Sequence, residues 1–516
     1  MVKKRDFKPD FYRRLYLHGG AEKNEIRAAY RLLARRYHPD ANPDQAMRTR
    51  FLGIQQAYEV LADPKTRAAY DEWLTSLPPE KRPILQVRQT LGPPALSRID
   101  TPQAATLLLD LRTDPAARPA RLPLNLCLVV DRSSSMRGPR LKQVRCATKE
   151  IISQLEPNDV FSLITFSDRA TTVLPAHRQL RKEVAKSLVD AVKASGGTEI
   201  FQGLNEGMNQ ALRYHEPNTL THILLLTDGH TYGDVDECLQ LAQKAARRHI
   251  AITALGIGSD WNDQFLDALA RTSHGTATYI AGPTQVLDTF QAQLSRLRAV
   301  ACRGVTLSLA PDPDVEVRGA YLVSPEVFAV DLITNEPNAS RVRTLLSTAP
   351  PDRARLSCAL GGLSFEQPTV VLLELAAKTA EPGVRSLLDW QLEVDLSPLG
   401  RGIERRAQEV LADVREQGAT PSEIPEVVIA AQSRLTAYKL RRKAWQDIEA
   451  GHPQQASQRL QGVATRLFDL REDALATAAL AEAEHIARTG SLTRDRGKWI
   501  KYGTRLLALP SPGDAS

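Results

Sequence analysis

Paired cysteines are missing from this sequence. Its five cysteines, Cys127, Cys146, Cys238, Cys302 and Cys358, are scattered and never spaced C-x-x-C. That excludes a disulfide framework and a cysteine zinc site, and it fits a reducing compartment. Long apolar runs are also missing. The longest, such as Leu124 to Val130, fall far short of the roughly 20 residues that a bilayer-spanning helix needs. The basic start, Met1 to Lys8, is followed by charged and polar residues where a secretion signal has its apolar segment. A soluble, cytoplasmic protein with no membrane insertion is therefore expected. No G-x-x-x-x-G-K-[ST] sequence occurs, and no G-x-G-x-x-G follows a strand-like run. Any nucleotide hydrolysis would have to be performed by another protein. Aromatic residues are slightly sparse at 5%, but 42% hydrophobic and 25% charged residues are the proportions of a globular chain.

A chain of 516 residues exceeds one hydrophobic core and is expected to fold as about three or four domains. The net charge is +7, and such an excess can mark a nucleic-acid binder, a membrane-surface binder or an Arg-rich composition. Residues 1–76 hold 15 Lys/Arg against 10 Asp/Glu. That concentration points to an acidic protein partner at the N-terminal end, and no nucleic-acid partner is expected.

Residues 10–75 read as four helices. Ile26, Tyr30, Leu33 and Tyr37 recur at helical spacing, as do Phe51, Ile54, Tyr58 and Leu61. The two apolar stripes can pack as a hairpin. Between them stands His38-Pro39-Asp40, where proline removes a backbone donor and drives the residue before it out of helical geometry. Asp63 and Pro64 suit the N-cap and first position of a last helix. Arg27, Arg31 and Arg35 recur every four residues opposite the buried stripe, with Arg36 beside them.

Through Asp10-Phe11-Tyr12, Tyr37-His38-Pro39-Asp40, Ala57-Tyr58-Glu59-Val60-Leu61 and Asp63-Pro64, this segment resembles the J domain of DnaJ-family co-chaperones. The resemblance implies that His38, Pro39 and Asp40 trigger ATP hydrolysis in a DnaK-type heat-shock partner. Arg27, Arg31, Arg35 and Arg36 would dock on that partner's acidic surface. His18-Gly19-Gly20 and Thr66 depart from the family's usual sequence. The glycine/phenylalanine-rich linker and cysteine-rich module of full-length DnaJ are absent, which implies a specialised J protein.

From Leu122 to about Ala281, strand-like runs alternate with helical patterns: Leu124 to Asp131, Val160 to Phe166, Thr221 to Asp228, Ile250 to Ile257 and Thr276 to Ile280. Alternation of this kind builds a mostly parallel sheet, and ligands bind beyond the carboxyl ends of its strands. Those ends carry Asp131-Arg132-Ser133-Ser134-Ser135, a Gly196-Gly197-Thr198 loop and Thr227-Asp228-Gly229. A hard cation such as Mg²⁺ takes about six oxygens. Ser133, Ser135 and Thr198 offer neutral hydroxyls, while Asp131 and Asp228 would bind directly or through water. With few direct carboxylates the ion stays electrophilic, free to accept an acidic side chain from another protein. The segment resembles a bacterial von Willebrand factor type A (vWA) domain with its metal-ion-dependent adhesion site (MIDAS), implying Mg²⁺ or Mn²⁺ as the cofactor. Ser134 stands where many relatives have glycine. A dehalogenase-type phosphatase would need a carboxylate at Ser133, and a serine hydrolase would need G-x-S-x-G. Both patterns fail, and His230 and His274 are isolated, so no enzyme is expected.

Strand-like pieces, including Ile84 to Thr90, Ala105 to Leu111, Val315 to Ala320 and Thr369 to Ala376, bracket that domain and read as one β-sandwich. From Arg401 to about Leu507 the Ala-, Leu-, Arg- and Glu-rich pattern reads as helical. The expected fold class is multidomain α and α/β: a helical J domain at 1–76, a linker and first part of a β-sandwich at 77–121, and a Rossmann-like, doubly wound vWA domain at 122–299 inserted in that sandwich. The second part of the sandwich follows at 300–397, then a C-terminal helical region at 398–508 and a disordered tail at 509–516. The expected function is a co-chaperone or adaptor that stimulates the heat-shock ATPase and captures an acidic-tipped protein partner. The alternatives are a Mg-dependent enzyme centred near Asp131 and a non-stimulating scaffold.

Overall fold

A computed structural model of the chain describes residues 7–40, 44–78, 81–114, 117, 122–229, 231, 233–335, 355–417 and 422–507. The expected tail at 509–516, His230 and the start of the first domain lie outside the described residues.

The N-terminal helices are α1 (Phe11–Arg14), α2 (Lys23–Tyr37), α3 (Gln45–Leu61) and α4 (Pro64–Ser76), and capping chemistry opens the last three. A reciprocal capping box between Glu22 and Glu25 opens α2. Asp44 accepts from the Ala46 N–H at 2.8 Å to open α3, and Asp63 accepts from the Thr66 N–H at 2.9 Å to open α4. Each such cap stabilises its helix by about 1 kcal/mol. Ile26, Leu33 and Tyr37 are buried with Ile54, Leu61 and Tyr70, and Tyr30 stacks on Tyr58 with ring centroids 3.9 Å apart. Thr66, one of the departures from the J-domain pattern, donates its hydroxyl to the Val60 carbonyl at 2.8 Å and ties α4 to α3.

The strands β1 (Leu85–Gly92), β2 (Ala95–Ser97) and β3 (Ile99–Thr113) begin the sandwich. The chain then leaves it for the α/β domain: β4 (Leu124–Asp131), α5 (Pro139–Gln154), β5 (Val160–Phe166), β6 (Ala170–Arg178), α6 (Lys182–Asp190), α7 (Ile200–Leu212), β7 (Leu220–Thr227), α8 (Val235–Ala246), β8 (Ala251–Ile257), α9 (Asp263–Thr272), β9 (Ala277–Ile280) and α10 (Val286–Arg298). The sheet order is β6-β5-β4-β7-β8-β9. Every pair is parallel except β5–β6. The edge strand β6 was not among the strand-like runs read from the sequence. Its Ala-Thr-Thr-Val-Leu-Pro-Ala-His-Arg stretch is half-exposed, so it lacks the apolar density of the inner strands.

The chain returns to the sandwich through β10 (Val305–Pro311), β11 (Val315–Ser324), β12 (Phe328–Val330), β13 (Ile333–Asn335), β14 (Arg355–Gly361), β15 (Thr369–Thr379), β16 (Gly383–Asp395) and β17 (Ile403–Arg415). A five-stranded sheet, β1-β3-β15-β11-β12, faces a six-stranded one, β13-β14-β10-β16-β17-β2. Leu107, Leu109, Val371 and Leu373 from one meet Leu307, Leu309, Trp390 and Leu392 from the other.

The helical reading of residues 401–415 is corrected here. The stretch Ile-Glu-Arg-Arg-Ala-Gln-Glu-Val-Leu-Ala-Asp-Val-Arg is rich in helix formers, yet it pairs antiparallel with β16 along its whole length. Cross-strand packing overrides a weak local propensity. Arg405 lies directly opposite Glu393 and bonds it at 2.7 Å. The sandwich therefore runs on past residue 397 to Arg415.

The helices begin later, with α11 (Glu426–Glu449), α12 (Pro453–Asp469), α13 (Asp473–Thr489) and α14 (Arg494–Gly503). Val428, Ala431, Leu435 and Tyr438 of α11 lie on the outer face of the five-stranded sheet against Leu108, Val370 and Leu372. That is why β3 and β15 are apolar on both faces. The remaining helices form their own core with the end of α11, while Tyr502 of α14 packs into the α/β domain beside Trp261. Gly256 is needed there, because a Cβ on it would fall 2.0 Å from the Trp261 ring.

Candidate functional site

Strands β4 and β7 run parallel with Val130 opposite Leu226, so they deliver Asp131 and Asp228 to the same edge of the sheet. Both carboxylates are buried, at 0% and 2% exposure. Asp131 is held from both sides: the Ser133 N–H donates to Oδ1 and the Thr227 hydroxyl to Oδ2, each at 2.7 Å. Ser133 and Ser135 are in hydroxyl contact at 2.9 Å, and Ser135 donates to Asp228 Oδ1 at 2.7 Å. Thr198 is buried, and its hydroxyl lies 3.3 Å from where a Gly229 Cβ would stand. The serine turn and the Gly196 loop are joined by the Ser134 N–H and hydroxyl, each donating to the Gly196 carbonyl at 3.1 Å. Asp131, Ser133, Ser135, Thr198 and Asp228 thus gather at one end of the sheet.

Burial pushes the Asp131 carboxyl up to about 6; hydrogen bonds from Thr227 and Ser133 oppose the shift, and the Asp228 charge adds to it. Two buried carboxylates beside converging hydroxyls form a donor set that fits a hard cation. Among the described residues no three His, Cys, Asp or Glu side chains cluster in a metal-holding arrangement, so any ion here would rely on neutral hydroxyls. Sequence reasoning missed three participants. Arg140 of α5 pairs with Asp228 Oδ2 and donates to the Ser135 carbonyl at 3.3 Å. Thr227 orients Asp131, and Asp168 accepts from the Gly197 N–H at 2.9 Å. Only Thr227 had a signal, adjacency to Asp228. His274 is in the turn between α9 and β9, where its Cβ and carbonyl oxygen would each lie 3.7 Å from a Gly361 Cβ.

At the end of α2, His38 is half-exposed and Asp40 is 90% exposed. The Asp40 N–H donates to His38 Nδ1 at 3.3 Å, and the His38 ring meets Phe51 edge-on. The motif is thus a surface turn anchored on α3. Arg27 and Arg31 are exposed. Arg35 and Arg36 are not free: Arg35 pairs with Asp413 at 3.0 Å, and Arg36 with the buried Glu409 at 2.8 Å, both carboxylates on β17. Tyr37 also donates its hydroxyl to Glu409. Leu411, between the two, is buried in the helical domain's own core.

The DnaJ domain family matches residues 10–71, and the von Willebrand factor type A domain family matches residues 125–293. The chain is 31% identical over 352 residues to the uncharacterized protein sll0103 of Synechocystis, covering 67% of this chain and 78% of that one. The chain belongs to the sll0103 family. The Sll0103-like C-terminal alpha-helical domain accordingly matches residues 426–510, where α11 to α14 lie. The chain also carries a J domain, 50% identical over 64 residues to the mitochondrial DnaJ homolog 1 of Schizosaccharomyces pombe. That match spans 12% of each protein. A von Willebrand factor type A structure from Catenulispora acidiphila superposes with a TM-score of 0.65 over 83% of this chain and 97% of that one. At 16% identity the shared property is the fold. Among the described residues no helix is long and apolar enough to cross a membrane.

Proposed function

We propose that this chain is a non-enzymatic co-chaperone adaptor. Its J domain stimulates a DnaK-type heat-shock ATPase, and its vWA domain captures a protein partner through a metal ion. The observation that carries the reading is the exposed His38-Pro39-Asp40 turn at the end of an arginine-bearing helix, on a chain whose own sequence has no nucleotide-binding loop. Exposed ion pairs contribute only about 0.2 to 1 kcal/mol each. Arg27 and Arg31 would therefore steer and orient a transient complex, leaving the effect on hydrolysis to the turn. Because Arg35 and Arg36 already pair with Asp413 and Glu409, an acidic partner surface takes the place of β17 when it occupies the whole face.

At the vWA site, Ser133, Ser135 and Thr198 would hold Mg²⁺ or Mn²⁺ through hydroxyls, with Asp131 and Asp228 behind them. The ion would supply an electrophilic position for a partner's carboxylate. Arg140 holds Asp228 in place, and Thr227 fixes Asp131. A binding role is supported by both carboxylates being already engaged, Asp131 by the Ser133 N–H and the Thr227 hydroxyl and Asp228 by the Ser135 hydroxyl and Arg140. The reading places the protein in the cytoplasm beside its chaperone.

The site is tested by metal-dependent thermal stability. With ion at about a hundred times its dissociation constant, linkage adds about 2.7 kcal/mol, so Mg²⁺ or Mn²⁺ raises the vWA transition by several degrees. Asp131→Ala abolishes the rise. A wild-type melting curve indifferent to both ions contradicts the site.

A further inference from the structure

A cleft of about 930 Å³ opens where α9 of the vWA domain, the β12–β14 edge of the sandwich, α11 and the end of α14 come together. It is separate from the strand ends that carry Asp131. Its charge is unbalanced. Arg441 of α11 lines the cleft and is only 4% exposed, and among the described residues it has no hydrogen-bond or ion-pair partner. Its Nε is buried and unpaired, and the faces of Tyr438 and Trp445 lie 5.3 and 5.5 Å from the guanidinium carbon.

Three of the acids that line the cleft are already engaged or weakened. Asp267 accepts both arms of Arg505, at 2.6 and 2.7 Å, and Lys501 at 2.7 Å. Lys501 also pairs with Asp263. Glu326 is 7% exposed, and burial raises its carboxyl, which weakens its hold on charge. Arg441 thus loses hydration and faces the like charges of Arg505 and Arg271, which outweigh the opposing pull of Tyr438 and Asp267 and bring its guanidinium down to about 10. Leaving a buried cation uncompensated costs several kcal/mol, so such a group is expected where an anion arrives later. Arg271, 44% exposed and 4.0 Å from Asp267, stands on the α9 side of the same cleft.

We propose that this cleft binds a phosphate-bearing small molecule of nucleotide size, its phosphate taken by Arg441 together with Arg271 and its ring laid on Trp445. A phosphate offers acceptor oxygens in several directions and so can meet guanidinium groups that come from different walls of the cleft. The volume is that of a small-molecule site, and the junction of three modules is where such sites concentrate. Trp445 lines the cleft half-buried. Bound there, the molecule contacts the vWA domain and the C-terminal helices at once.

The test is calorimetry of the full chain with ATP, pyrophosphate and inorganic phosphate in EDTA, so that the vWA ion contributes nothing. ATP and pyrophosphate are expected to bind, ATP alone quenching tryptophan fluorescence, with Arg441→Gln and the more exposed Arg271→Ala each weakening binding about tenfold or more. Arg441→Met is expected to abolish binding while holding or raising the melting temperature, since it removes an unpaired buried charge; a lowered melting temperature with unaltered binding assigns the guanidinium a structural role and overturns the proposal. Absence of binding by all three probes at millimolar concentration overturns it too, as does binding of a glutamate-rich peptide in their place.

Discussion

His222 on β7 shows how a single buried side chain sets a pH limit. Its ring is hydrogen-bonded to Thr253 at 3.0 Å with no acid to stabilise the imidazolium, and burial pulls it down to about 4. An unfolded histidine titrates near 6.5. The folded value is therefore depressed, so the neutral ring's contribution is complete above pH ~6.5 and is lost as pH falls toward 4. At roughly 1.4 kcal/mol per unit the loss reaches about 3 kcal/mol. Urea midpoints at pH 7.5 and 4.5 are expected to separate more in the wild type than in His222→Gln, and an equal separation contradicts this account. Asp267 adds a second acid limit: burial opposes its ionisation, but Arg505 and Lys501 overcome that and hold it near 2. Its stabilisation is present above pH ~4 and lost below. Among single residues, the oxygen donors were legible because each ends a recognisable run, Asp131 after β4 and Asp228 after β7. Arg140 was not, since its role depends on α5 folding back over a strand 88 residues away in sequence.

Between elements, the contact of α2 with β17 is the one that sequence could not anticipate. Helix α2 was legible from its spacing and its terminal proline, but its partner strand was read as helix, because Arg, Glu, Ala and Leu carry the same local preference wherever they stand. Only the long antiparallel register with β16, and Leu411 turned outward into the core of the helical domain, make it a strand. Glu409 then sits 4% exposed with Arg36 and Tyr37 both on its carboxylate. Glu409→Gln keeps the shape and removes the charge. With Arg36 37% exposed, solvent screening reduces the expected loss to about 1 kcal/mol. Hydrogen exchange in α2 is expected to rise in this variant and affinity for the heat-shock partner to increase. Unchanged exchange contradicts the idea that β17 holds the helix.

At the level of the molecule, the order of modules was legible from composition and period: a helical start, an alternating α/β centre, strands on either side of it and helices at the end. What the pattern could not convey is how the modules meet. The sandwich is the common support, with α1 to α4 against β16 and β17 on one sheet and α11 across the other. Asp267, Lys501 and Arg505 then tie the C-terminal helices to the vWA domain. Contacts of this kind lie hundreds of residues apart in sequence, and periodicity carries no information about them. Their result is a chain in which the exposed His38-Pro39-Asp40 turn and the oxygen cluster around Asp131 are held on one frame. In the proposed function the turn acts on a partner's ATPase. Single-turnover hydrolysis by a DnaK-type chaperone, measured with the full chain and with His38→Gln, tests it directly: the wild type is expected to accelerate hydrolysis about tenfold or more, as transition-state stabilisation of about 1.4 kcal/mol would, and the variant to have no effect. Equal rates with the two proteins would contradict it.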